Sequence, residues 1–189
     1  MSDREKYMPG PAAGTEVRRD GDKWTLIVVR ELRHPPAKVW QALTDPEQLR
    51  EWAPFDSDRN LGTTGTAARL STVGAPPPQV TETRVMRADA PRALEYAWGE
   101  FDMRWELGLL PRGGTRLTLW THIGHRFISW GAAGWHICLD VLDRLLADRP
   151  IGRIVGPEAM KFDWQRLNVE YAQQFGVDAP NWAPEDAPS

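Results

Sequence analysis

The chain has 189 residues, 23 basic and 26 acidic, for a net charge of −3. That length suits one domain with tails, and the chain lacks the basic run that nucleic-acid binding requires. Its single cysteine, Cys138, excludes an internal disulfide and any metal site built on paired thiolates. No apolar stretch approaches the roughly 20 residues that insert into a bilayer.

Residues 1–22 are polar and carry Pro9, Gly10, Pro11 and Gly14, so a flexible N-terminal tail is expected. The start has no apolar core of a signal peptide, and a cytoplasmic location is expected from that. A single domain is expected over 23–176, and a flexible C-terminal tail over 177–189, with Trp182 its one large side chain. In WTLIVVREL (24–32), β-branched residues with both parities apolar predict a strand covered on both faces. His34-Pro35-Pro36 ends it. Proline suits a first helical turn, so a short helix is expected from about Pro36, with Val39, Trp40 and Leu43 on one face. Asp45-Pro46-Glu47-Gln48 is a second helix start, with Asp45 as N-cap. Leu49 and Trp52 continue its apolar face.

Short strands follow: ARLST (68–72), VTETRVMRAD (80–89), ALEYAWG (93–99), FDMRWELGLL (101–110) and TRLTLWTHI (115–123). Neighbours this close pair antiparallel, because a parallel crossover needs about a dozen residues. The prediction is one antiparallel meander. Leu94, Tyr96 and Trp98 share one side of it. So do Met103, Trp105 and Leu107 in the next strand. Arg104 and Glu106 face the other way, as do charges at 82 and 84, and a wet face of cross-strand charge pairs is expected. The period then becomes helical. Residues 130–148 place Trp135, Cys138, Leu139, Leu142, Leu145 and Leu146 on one stripe, and His136, Asp140 and Asp143 on another, read as solvated. A last stripe runs Met160, Trp164, Leu167, Tyr171, Phe175, with Gly176 as C-cap. The order strand, two short helices, meander, long helix is α+β.

Most constellations that carry chemistry fail on inspection. None of the serines sits in a nucleophile turn, and Cys138 lies on an apolar helix face with nothing to lower its pKa. His122 and His125 are a close pair, but without a third ligand they make a poor metal site. Asp56-Ser-Asp58-Arg-Asn60 begins like a calcium loop and then places Leu61 where Gly belongs. Gly62-Thr-Thr-Gly65 lacks the lysine of a phosphate loop. Neither a metal nor a cofactor is expected.

VRELRHPPAKVWQALTDPEQLREWAP resembles the opening of the SRPBCC (START-like) superfamily, through Pro36, Val39, Trp40, Ala42, Leu43, Thr44, Pro46, Leu49 and Trp52. Within it, the pattern resembles the branch named after the activator of the heat-shock-protein-90 ATPase. RALEYAWGEFDMRWEL, GGTRLTLWTH and GWHICLDVLDRLL are similar to the core strands and long helix, so the likeness covers about residues 23–147. It implies a helix-grip fold, with a curved antiparallel sheet wrapped around a long C-terminal helix. Two short helices follow the first strand, and a cavity lies between sheet and helix. DRPIGRIVGPEAMKFDW, after Ala147, is a longer insert than the pattern has; it either caps the cavity mouth or extends the surface.

The fold leaves function open. The resemblance spans lipid carriers, plant hormone binders, polyketide aromatase/cyclases and co-chaperone domains, and noncatalytic binding of a small hydrophobic or aromatic ligand, lipid- or polyketide-like, is the expected function. Trp52, Phe55, Trp98, Trp105, Leu107, Trp135, Leu139 and Leu142 are the candidate contacts, with Trp52 at the lip. The same residues read equally as plain core. A cyclase- or hydrolase-type enzyme is the alternative, with His122 as its acid–base candidate. A co-chaperone-like interaction module is a third reading, with a chaperone partner. A homodimer is also open.

Overall fold

The computed structural model describes residues 1–74 and 76–181. Nine strands and four α-helices follow in the order β1 (Thr15–Asp20), β2 (Lys23–Leu32), α1 (Pro36–Thr44), α2 (Pro46–Trp52), β3 (Phe55–Ser57), β4 (Ala67–Thr72), β5 (Gln79–Arg84), β6 (Arg87–Asp89), β7 (Ala93–Trp98), β8 (Phe101–Leu109), β9 (Thr115–His122), α3 (Ile128–Leu146) and α4 (Trp164–Phe175). A curved sheet of order β1-β2-β9-β8-β7-β6 packs on α3, and a smaller sheet β3-β4-β5 packs against α2 and β7, with every described strand pair antiparallel. This is the α+β helix-grip arrangement expected from the sequence.

Local chemistry accounts for the helical start. Pro36 occupies the first turn of α1, and the Asp45 side chain accepts from the Glu47 N–H to cap α2, with Pro46 behind it. The kink between them is therefore written into residues 44–46. Residues 80–89, expected as one strand, divide at Val85 and Met86. The Val85 N–H donates to Thr66 and the Met86 N–H to Glu95, so the chain leaves β4 and joins β7 at that step. One meander thus becomes two sheets, bridged where the Ala97 N–H donates to Thr83 Oγ1 at 3.2 Å. The last helix also starts later than the stripe predicts. Gly156–Phe162 is a 3₁₀ segment, Asp163 is left-handed (φ 59°), and Met160 stays partly exposed.

The flexible N-terminal tail expected over 1–22 is corrected by the structure. Thr15–Asp20 pairs with β2 across the two-residue turn Gly21–Asp22. Tyr7 is buried, and Arg4 donates to the carbonyls of Ile151, Gly152 and Arg153 and pairs with Glu158 at 2.8 Å. A domain starting at 23 therefore omits an edge strand and a strap. The C-terminal tail expected from 177 is also docked at its start: the Pro180 carbonyl accepts from Trp130 Nε1 (3.0 Å) and Asn168 Nδ2 (3.1 Å). Trp182 and the rest of that tail lie outside the described residues.

The same strap overturns the solvated reading of His136 and Asp140. Both are largely buried beneath it, while Asp143 remains half exposed beside His34. Asp140 pairs with Arg30 and accepts from the Tyr7 hydroxyl at 2.6 Å. His136 Nδ1 lies 2.8 Å from the Tyr171 hydroxyl, which donates to the Ala13 carbonyl at 3.1 Å. Helical periodicity had one wet face to assign, and a segment distant in sequence came to cover it.

Burial lowers the His136 pKa from 6.5, against the opposing pull of the Asp140 carboxylate. Between the lowered folded value and 6.5, the unfolded chain binds the extra proton and the folded chain does not. Stability therefore falls as pH drops through that window, with a slope of at most ~1.4 kcal/mol per pH unit. Calorimetric Tm values between pH 7.5 and 5.5 should show this slope, and His136→Gln should flatten it. Equal slopes in both proteins would contradict it.

Candidate functional site

Inward residues of β7, β8 and β9 alternate as the strand period requires. Trp98, Met103 and Thr121 thereby face α3, and Trp120 and His122 face away. On α3, Trp130, Gly131, Gly134, Trp135 and Cys138 recur at helical spacing toward the sheet. Between these walls lies a recess of about 440 Å³. The β4–β5 connection (Val73, Gly74, Pro76, Pro77) and the insert (Ile154, Val155, Gly156, Ala159) close its sides. The insert is thus a wall of the recess.

Two glycines make that enclosure possible. Gly74 (φ +104°) and Gly156 (φ +60°) meet backbone to backbone, and a Cβ on Gly156 would lie 2.6 Å from the Gly74 carbonyl oxygen. No other residue type fits this contact without strain. A third, Gly134, sits mid-helix, where glycine costs roughly 1 kcal/mol relative to alanine. A Cβ built on Gly134 meets nothing within 4 Å, so it would enter open space.

Aromatic side chains form the walls in two corners. Trp98 and Trp135 cross at 82° with centroids 6.2 Å apart, and Trp130 and Trp164 cross at 78° and 5.6 Å. The indole N–H of Trp98 is committed to Thr72 Oγ1 at 2.9 Å, and that of Trp130 to Pro180. Among the described lining residues, the only ionisable side chain is Cys138, and burial pushes its thiol up to about 12. It stays protonated and inert.

Of the eight expected contacts, only Trp98 and Trp135 line the recess. Trp52, Phe55, Trp105, Leu107, Leu139 and Leu142 are buried side chains outside that lining. Trp52 is no lip residue. It is 1% exposed, donates to the Ala42 carbonyl at 2.9 Å, and packs edge-on against Trp105 at 6.0 Å. Trp105 in turn meets Trp135 at 5.6 Å, so these side chains back the wall. His122 points to the outer face of the sheet and pairs with exposed Asp102 at 3.1 Å. Around it runs the expected charged face: Arg104 pairs with Glu106 and Glu95, and Arg116 with Glu31.

Sequence reasoning missed Phe101, Trp130, Gly131, Gly134 and Trp164 as lining, whereas the insert takes the first of its two expected places, at the cavity. The available signal was the pair Gly131 and Gly134 inside an otherwise strong helix, a local violation that often marks function. Among the described residues no group of three or more His, Cys, Asp or Glu is placed to hold a metal, and no helix is long and apolar enough to cross a membrane.

A curved antiparallel sheet closed on one long helix, with an apolar recess between them, defines a protein of the helix-grip class. The chain belongs to the family described as polyketide cyclase / dehydrase and lipid transport, whose sequence profile matches residues 23–137. No curated protein matches the chain. Among solved structures, it is similar to the conserved protein EF2215 from Enterococcus faecalis, of unknown function. That likeness has 17% identity, covers 85% of this chain and 89% of that one, and has a TM-score of 0.65. It is similar to CalU16 from Micromonospora echinospora (20% identity, 85% and 98% covered, TM-score 0.58). It is also similar to the protein encoded by BPP1335 from Bordetella parapertussis (20%, 94% and 100%, 0.59). At these identities the likenesses establish the fold.

Proposed function

We propose that the protein binds a small hydrophobic or aromatic molecule, lipid- or polyketide-like, in the recess between sheet and α3, without transforming it. The observation that carries this reading is a space of about 440 Å³ walled by Trp98, Trp130, Trp135 and Trp164, with no group among the described lining residues poised to transfer a proton. Ligand sites commonly measure about 300–1,000 Å³ and are mostly apolar. Membership of a family described by both cyclase chemistry and lipid transport is compatible with binding. A cyclase or hydrolase reading requires an acid–base group at the ligand, and His122 lies on the outer sheet face.

The narrower likeness to the heat-shock-ATPase activator branch rests on the motif of residues 36–52. A chaperone partner or a homodimer needs a contiguous apolar face. The large exposed apolar side chains, such as Met8, Val80, Met86, Leu109 and Val169, come from separate elements. The polar start of residues 1–22 supports a cytoplasmic location.

The test uses Nile red, an uncharged fluorophore. The wild-type protein should bind it with enhanced emission. Gly134→Leu, whose side chain enters the open space, should weaken binding at least tenfold while melting no lower than wild type, because a helix glycine is replaced. No binding by the wild type, or equal binding by both, would overturn the proposal.

A further inference from the structure

The recess is uncharged along its whole described lining, from the tryptophan corners to the exposed rim of Gly74, Pro76, Pro77 and Gln79. The guanidinium of Arg153 is felt at the Cys138 thiol. It is already spent: Nε donates to the Arg50 carbonyl at 2.6 Å, and the rest of the fork holds Asp56 and the Ala53 carbonyl. Two of the wall's indole N–H groups are also committed, so Trp98 and Trp130 offer ring surface and no donor. Opposite the sheet, Gly134 leaves bare helix backbone between the two corners of crossed indoles, while the Ile123 side chain covers Gly131. Flat walls meeting a flat floor suit a planar ring system. An ion placed there would lose its hydration and find no counter-charge among the described lining residues.

We infer that the recess selects electrically neutral, planar molecules and rejects their carboxylate and ammonium counterparts. This rests on the recess being the ligand site proposed above, and adds a charge rule that an apolar lining does not by itself impose. A half-open pocket can hold a ring while its charged end stays in water, or pair that end with a rim cation. Here the described rim offers no cation.

Three probes sharing one ring separate the possibilities: pyrene-1-methanol, pyrene-1-carboxylate and 1-pyrenemethylammonium, each titrated by energy transfer from tryptophan. At pH 7.5 the alcohol should bind at least about 30-fold more tightly than either ion, given the cost of an unpaired charge in an apolar site. If only the neutral acid enters, the apparent affinity of the carboxylate should rise by about tenfold per pH unit as pH falls from 7.5 to 5.5. The alcohol should stay flat, which controls for pH effects on the protein itself. Carboxylate or ammonium binding within threefold of the alcohol, and abolished by Gly134→Leu, would overturn the charge rule and leave the ligand site standing. Failure of the alcohol to bind, or binding of all three unaffected by Gly134→Leu, would take down both.

Discussion

Trp105→Ala should destabilise the fold by about 3–5 kcal/mol, the range for emptying a buried tryptophan site. Trp105 is 1% exposed and sits between Trp52 and Trp135, edge-on to both at 6.0 and 5.6 Å. Its Nε1 also donates to the Tyr96 hydroxyl at 3.2 Å. That hydroxyl is fully enclosed, and its burial pushes the Tyr96 pKa upward. Truncation removes ring packing on two sides and leaves this buried oxygen without its donor. For a chain of this length, the Tm should fall by roughly 10–15 °C. Trp105→Phe keeps most of the contact area and loses the hydrogen bond, so its loss should be about half or less. Denaturant midpoints for the two variants measure both numbers. A loss below about 1 kcal/mol for the alanine variant would mean that the wall behind the recess is not close-packed.

Asp140→Ala should cost about 3 kcal/mol, because it strands a mostly buried guanidinium. Arg30 reaches inward from β2 and is only 24% exposed, and Asp140 is its counter-charge and also the acceptor for the Tyr7 hydroxyl. Removing Asp140 thus unfastens the N-terminal strap and leaves Arg30 unpaired. Arg30→Met with Asp140→Leu should recover most of the loss, since apolar residues of similar size often replace a buried pair without penalty. A double-mutant cycle measures this directly. The cluster lies on the face of α3 away from Gly131, Gly134 and Cys138. Asp140→Ala should therefore leave Nile red affinity within threefold of wild type. If Asp140→Ala instead abolished binding at full helicity, the strap would be part of the site.

The same residues show why parts of the fold are legible and the site much less so. Pro36, Asp45 and Pro46 act within a turn of their own positions, so α1, α2 and the kink between them are visible in residues 34–52. The strand β1 was legible too. Gly21-Asp22 is a two-residue hairpin turn signal, but the prolines and glycines of residues 9–14 point to a tail. The division of 80–89 between two sheets had no local mark, because Val85 and Met86 change partners through bonds to Thr66 and Glu95.

Residues 34–52 place two tryptophans that look alike in the sequence, Trp40 and Trp52. Both prove to be core, and the lip role expected for Trp52 belongs to the β4–β5 connection. The sequence by itself determined the class of fold, since period, capping and turn residues are local properties that add up along the chain. It also determined which side chains are apolar enough to be inside. Only the tertiary structure decided which of them face a void and which face each other. That depends on Gly74 touching Gly156, on Gly134 opening toward the sheet, and on a strap from residues 1–14 covering His136 and Asp140. Each is a contact between segments far apart in the chain, where packing and not local preference sets the outcome.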